Sequence, residues 1–600
     1  MRLASGTARR RRLAALVPSF ACAVALNARA DAPQTSTPSG YSDYEIETVH
    51  EVRSRFRSEI DPHPEGKLVE GVEIVPLDVI ERRDPAPAFM NSLHATTRPW
   101  ALRREVLLHE GDRWQQALVE ETERILRELK QLSLVLCLPL RGSAPDRVRL
   151  VVITKDVWSL KLNANVRLAG GKLEYLLLQP SDENVAGTLR TGGLVMAMTP
   201  LSLRLGGRFH APRVTGSRVN VTGDASVILS RVTGEAEGSM GGLEVTRPLF
   251  SSLSQWAWTL SGSWRNEIDR RFISGELAYY DSPRTPWRDR IPWLHRSKQN
   301  AAYAAMTRSW GWRWKNDLTL GLEASYWNAQ GPDLEGYSAE VADDFRRAVI
   351  PTNDTRVGPS VIWRSYTSDF LEVLDFEVLS LQENYRLGHE AFVRLQPSPR
   401  LLGSSRDVVG LYGGLQYTIP LGDGLARAYV QPSVERDQDG VSDASLQAAV
   451  RLVSPRTGIG RFVFDVTVLD RFRNYLNRRN VIGGDTRLRG FPTSAFQGSD
   501  FLVYNLEFRT RPVELSSVQL GMTAFFDSGD APDGLSNLRV KSSVGLGLRA
   551  MFPQVARSVL RVDWGIPVTP GYAGPGIPGQ VMLTLGQAFP MPGVAPRPPK

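Results

Sequence analysis

FLVYNLEFRT, residues 501–510, alternates without a break: Leu502, Tyr504, Leu506 and Phe508 fall on one face of an extended strand, and Asn505, Glu507 and Arg509 fall on the other. Successive side chains of a strand point to opposite faces. One face is therefore apolar and the other charged. A soluble sheet hides the apolar face in a core; a barrel in a membrane turns it to lipid and keeps the charged face in a wet lumen. The neighbouring segments decide between the two.

Four segments downstream repeat the pattern. VQLGMTAFFD (518–527) sets Val518, Leu520, Met522 and Phe526 against Gln519, Thr523 and Asp527. VGLGLRA (544–550) and VLRVDWG (559–565) set Leu546, Leu548, Val562 and Trp564 against Arg549, Arg561 and Asp563. QVMLTLGQAF (580–589) aligns Val581, Leu583, Leu585 and Phe589. Counting back from Phe589, the connections are long (GIPVTPGYAGPGIPG), short (FPQVARS), long (SGDAPDGLSNLRVK) and short (RPVELSS). Short periplasmic turns and long external loops alternate in this way in an outer-membrane barrel whose chain ends on the periplasmic side. The connection before Phe501, with GGDTRLRGF (483–491), then lies outside. The same texture runs back to Trp158 through about 430 residues broken by Gly, Pro, Asp and Ser. A soluble β-sandwich also alternates. The number of segments argues for the bilayer, as do tryptophans near segment ends (Trp256, Trp258, Trp264, Trp310, Trp312 and Trp314).

The start of the chain fits export. Arg9 to Arg12 form a positive region, Leu13 to Leu26 a short apolar run, and Ala28-Arg29-Ala30 a small-x-small cleavage site, so residues 1–30 read as a signal peptide. Cys22 sits inside the apolar run and is a poor lipidation site. The formal charge of +8 is concentrated here: six of the 72 basic residues precede Asp31, leaving 66 against 64 acidic ones. That balance removes the main argument for a nucleic-acid partner. Beyond Cys22 only Cys137 remains, so no intramolecular disulfide is expected in the exported chain. No later stretch has the roughly 18 apolar residues of a membrane helix. Residues 31–66 are polar and read as a tether, although YEIETVHEVRSRFRSEI suits a short helix or strand. Residues 67–157 carry the order β-α-α-β-β, with Ala117, Leu118, Ile125, Leu126 and Leu129 on one stripe of the second helix. This is a small α+β domain.

With these residues in view, the chain resembles the BamA/TamA (bacterial surface antigen, outer-membrane protein assembly) superfamily, in its single-POTRA branch. Leu488-Arg489-Gly490-Phe491 stands where that superfamily carries R-G-F or R-G-Y, in the external loop before the final five strands. Phe525, Asp527 and Gly529 match its F-x-D-x-G motif two strands on, and Glu507 matches its lumen-facing acid between them. The resemblance implies a mainly β protein: one periplasmic POTRA domain, then a 16-stranded antiparallel transmembrane barrel over 158–590, with a Pro-rich tail at 591–600. The R-G-F loop would fold into the lumen. Gly483, Gly484 and Gly490 give the loop backbone freedom. Arg489 can then bridge Glu507 and Asp527 with its planar fork, with Phe491 as an apolar anchor. Arg549, Arg561 and Asp563 read as general lumen polarity.

The function implied is outer-membrane protein insertion or polypeptide translocation, through β-augmentation at the barrel seam and at the POTRA edge strand around DRVRLVVITKDVW. Partners would be the outer-membrane bilayer and unfolded barrel or secreted clients, with room for periplasmic chaperones. The alternatives are a lipid- or lipopolysaccharide-handling barrel and a passive porin-like channel. Neither G-x-S-x-G nor H-E-x-x-H occurs, and the His residues are scattered, His94 leading a helix. No catalytic residue, cofactor or metal is expected. The Phe589 aromatic signal is internal, and the tail beyond it reads as a disordered periplasmic extension.

Overall fold

The computed structural model describes residues 43–81, 88–169, 172–251, 254–273, 275–484, 487–515, 518–552, 558–571, 578–589 and 593–594. The signal peptide, Cys22, residues 31–42 of the tether, Asp485, Thr486 and most of the tail lie outside them. Residues 43–60 are a unit by themselves: the stretch read as helix or strand is a helix, α1 (Asp43–Phe56), with Arg53 paired to Glu59.

After Asp61 comes a small α+β domain, in the order β1 (Leu68–Leu77), α2 (Pro99–Arg103), α3 (Gln116–Arg127), β2 (Leu132–Arg141) and β3 (Arg147–Asp156). Pro99 opens α2 where its missing N–H goes unused. Val119 and Leu126 of α3 are buried with Val69, Leu102, Trp114 and Leu150, and Leu118 and Leu129 pack against them; Ile125 is also buried, whereas Ala117 of the expected stripe is exposed. The sheet order is β1-β3-β2, with β1 parallel and β2 antiparallel to β3. The strand around DRVRLVVITKDVW, expected at the edge, is therefore the middle one. The crossover through both helices lays β3 beside β1, and the β2–β3 hairpin leaves β2 outside. Both true edge strands carry a proline, Pro76 and Pro139, and the middle strand has none.

β3 runs straight into the barrel through a buried polar joint. Asp156 Oδ2 accepts from Thr97 N at 2.7 Å, Thr97 Oγ1 at 2.9 Å and Asn184 Nδ2 at 3.2 Å, and lies 2.9 Å from His94 Nε2. His94 also meets Ser159 Oγ at 3.2 Å. The domain is thereby pinned at one mouth of the barrel, termed near; the opposite mouth is far.

Twenty antiparallel strands among the described residues, from β4 (Leu160–Ala169) to Gln580–Leu585, close into a ring. A further three-residue strand, Val513–Leu515, pairs only with Val518–Asp530. Leu260, Met306, Leu322, Leu411, Leu546 and Leu548 point outward and are exposed, while Thr418, Arg451, Asp465 and Glu507 are buried inside. Trp256, Trp310, Trp312 and Trp314 gather at the near ends of their strands, with Arg308 over Trp256 at 4.8 Å. Trp264 lies farther up, ~26 Å along the strand at ~3.3 Å per residue, which at a tilt of about 40° is ~20 Å of height, within an apolar band of about 25 Å.

Four features depart from the sequence reading. The ring has twenty strands, not sixteen: the last five are separable in the sequence, but the earlier number came from resemblance, and tight connections such as 199–201 and 438–439 fit in more crossings. One near connection, 368–387, is long and carries a hairpin (Phe370–Leu374 with Gln382–Arg386) that folds into the lumen. One far connection carries a helix, α4 (Ala339–Val349), capped by Ser338 Oγ. Finally, Gly586 adopts φ 93° and its N–H bonds Val559 O at 2.7 Å, turning the chain off the sheet. Phe589 is consequently buried inside rather than aligned with Val581.

Candidate functional site

The connection 475–500 belongs to the far mouth and returns into the lumen. Gly483 and Gly484 take φ 130° and 62°, and Gly484 N bonds Phe491 O at 2.9 Å, closing a tight loop. Leu488 and Phe491 are fully buried with Ile482, Phe496, Val503 and Ala531, the two phenylalanines meeting edge-on at 5.2 Å. Gly490, at φ 93°, lies against the strand Leu560–Pro567: a Cβ on it would stand 2.9 Å from Gly565 C and 3.1 Å from Ser543 Cβ. Backbone packs on backbone here, which only glycine allows.

This packing delivers Arg489 to the wall, 1 % exposed. Its Nε and Nη2 bond Asp527 Oδ2 and Oδ1 at 2.7 and 2.8 Å, a two-pronged contact. Nη1 lies 2.6 Å from Glu507 Oε1 and 3.1 Å from Asp563 Oδ2. The Arg489 amide adds a bond to Asp527 at 3.1 Å, Ser543 Oγ donates to Arg489 O, and the guanidinium lies 3.6 Å from the Phe525 ring centroid. The structure thus brings together Arg489, Glu507, Asp527 and Phe525. Gly529 sits where a Cβ would meet Leu502 O and Val503 at 2.7 Å.

Asp563, read as general lumen polarity, is a third carboxylate on Arg489, and it also holds Arg549 at 2.6 Å and Arg561 at 3.4 Å. Asn505, placed on the charged face by the sequence but given no role there, joins the cluster too: its Nδ2 bonds Arg487 O at 2.6 Å and Asp527 Oδ1 at 2.8 Å. Inward alternation marked both residues; a contact with one particular loop arginine leaves no trace in the spacing. The cluster joins the strands Phe501–Thr510, Val518–Asp530, Lys541–Met551 and Leu560–Pro567. Leaving such buried carboxylates without a partner typically costs about 3 to 5 kcal/mol.

No family model and no curated protein matches the chain. Solved structures that match include BamA from Haemophilus ducreyi lacking POTRA domains 1-3, at 13% identity and TM-score 0.36 over 91% of this chain and 94% of that one. CdiB from Acinetobacter baumannii matches at 10% identity and TM-score 0.40, over 91% and 82% of the two chains. CdiB from Escherichia coli matches at 11% identity and TM-score 0.43, over 91% and 84%. Over that length the chain resembles BamA and CdiB.

Proposed function

We propose that this chain is an outer-membrane factor that inserts or translocates polypeptides, with residues 1–30 as its export signal and the small domain as a periplasmic POTRA domain. The observation that carries this reading is the seam. β4 and Gln580–Leu585 pair over four residues, Val166 to Ala169 with Leu583 to Gln580, fewer than any other neighbours among the twenty described ring strands. The near part of β4 pairs only with Lys172–Asp182, and Leu160 and Leu162 are 45% and 60% exposed. An unpaired edge is a template for another strand, so a client strand can add there. In the small domain the receiving edge is β1 or β2. No hydrolysis or cofactor enters; client folding supplies the driving force.

In the same proposal the Arg489 cluster stiffens the four strands before the seam, so that opening is confined to the seam. The test is a reversible staple. Leu168 and Val581 are register partners, and a Leu168→Cys/Val581→Cys pair, oxidised, is expected to halt client assembly until a reductant is added. Undiminished assembly with the staple closed would refute the seam mechanism.

A further inference from the structure

Three separate segments converge on one wall of the lumen, and the wall grips two of them by their main chain. Arg461 Nη2 bonds the carbonyl of Leu374 at 2.9 Å and lies 4.6 Å from the Phe376 ring centroid. Arg509 Nη1 bonds the carbonyl of Phe376 at 2.7 Å. Arg451 Nη1 bonds the carbonyl of Phe589 at 3.5 Å, its guanidinium 5.2 Å from that ring. These arginines are buried on adjacent strands, and neither gripped segment is part of the wall. Arg487 and Arg489 of the far loop also lie against the Phe589 ring, at 5.7 and 5.6 Å. Among the described residues beyond Phe589, Val594 N bonds Gln416 Oε1 on the strand Val408–Leu421 at 3.3 Å.

We propose that Arg451, Arg461 and Arg509 form a binding site for a polypeptide segment bearing an aromatic side chain, occupied at rest by the bent tip of the chain's own hairpin and by the segment ending at Phe589. A guanidinium that donates to a carbonyl while facing the adjacent ring recognises main chain plus aromatic and little else, which suits clients of varied sequence. The hairpin tip is pre-shaped for the site: the Glu383 carboxylate accepts the amides of Phe376, Glu377 and Val378 at 2.9 to 3.3 Å. The site rests on the translocation reading for its physiological ligand, but not for its chemistry.

The probe is a fluorescein-labelled peptide of residues 371–379, LEVLDFEVL, titrated by anisotropy into purified full-length protein and into a variant with 369–386 replaced by a short Gly-Ser turn. The replaced variant is expected to bind at least tenfold more tightly than the intact protein. Arg461→Gln with Arg509→Gln in that background, or Phe376→Ala in the peptide, is expected to weaken binding about tenfold. Equal binding to intact and replaced proteins, or indifference to the arginines, overturns the site. If the replaced variant loses its heat-modifiable folded band, Phe376→Ala in the full chain, which loosens the hairpin without removing it, must gain peptide binding or the site is overturned. Arginine-dependent binding with unchanged clients in cells sinks the translocation reading alone; client loss without arginine-dependent binding sinks the site alone.

Discussion

At the scale of single residues, Arg489 and Gly490 divide the work of the loop. Arg489→Ala strands Asp527 in the wall, at a local cost on the order of 3 kcal/mol, while Glu507 keeps Arg509 and Asp563 keeps Arg549 and Arg561. The expected outcome is a barrel present in normal amount but leaky to large antibiotics. Arg489→Lys should fall between, since an ammonium lacks the fork that spans two oxygens of Asp527. Gly490→Ala keeps every charge yet forces a Cβ against Gly565 at a left-handed φ, costing roughly 1 to 3 kcal/mol; it should match Arg489→Ala in leakiness if close backbone approach delivers the arginine. In the small domain, the Ser143 amide at 2.9 Å, the Ser143 hydroxyl and Arg149 lower Glu70 to about 2. Because the folded value lies below the ordinary 4.5, the contact contributes fully above pH ~4.5 and is lost as pH falls towards 2. Hydrogen exchange of β1 and β3 should accelerate over that window, and Glu70→Gln should flatten the change.

Among the elements, four of the final five strands were readable residue by residue because each pairs an apolar face with a charged one; the last, Gln580–Leu585, has no charged inner face, and Phe589 beyond it was misplaced. Leu546 stands mid-strand on the outer face, 56% exposed. Leu546→Arg is expected to cost about 2 to 4 kcal/mol if that face meets lipid, seen as a reduced heat-modifiable folded fraction; an unchanged fraction would argue against a membrane there. The order of the small sheet was also written in the chain, in Pro76 and Pro139, since proline cannot donate within a middle strand; position in the sequence alone suggested the wrong edge. The hairpin at 368–387 was not legible: FLEVL and QENYR alternate like any wall strand, and only a near connection of that length marks them as something else. The lock was half legible. Loop and wall acids follow from alternation, whereas Asp563 and the inward turn of Phe589 depend on which side chains meet across the lumen.

For the whole molecule, the decisive measurement is outer-membrane proteomics after depletion, with lipopolysaccharide quantified in the same samples. Loss of a defined set of barrels or secreted proteins ahead of any lipid change is expected; altered surface lipid with an intact protein profile would transfer the function to lipid handling. The twenty-strand ring gives this molecule a geometric problem of its own. Each tilted strand takes ~6 Å of girth, so four strands beyond sixteen add ~25 Å of circumference. Cross-section grows as the square, to ~1.6 times that of the smaller ring. An infolded loop of given size covers a smaller share of the wider bore. Here the far loop shares the lumen with the hairpin and with Phe589, so the breadth of the ring and the number of its stoppers are two readings of one dimension.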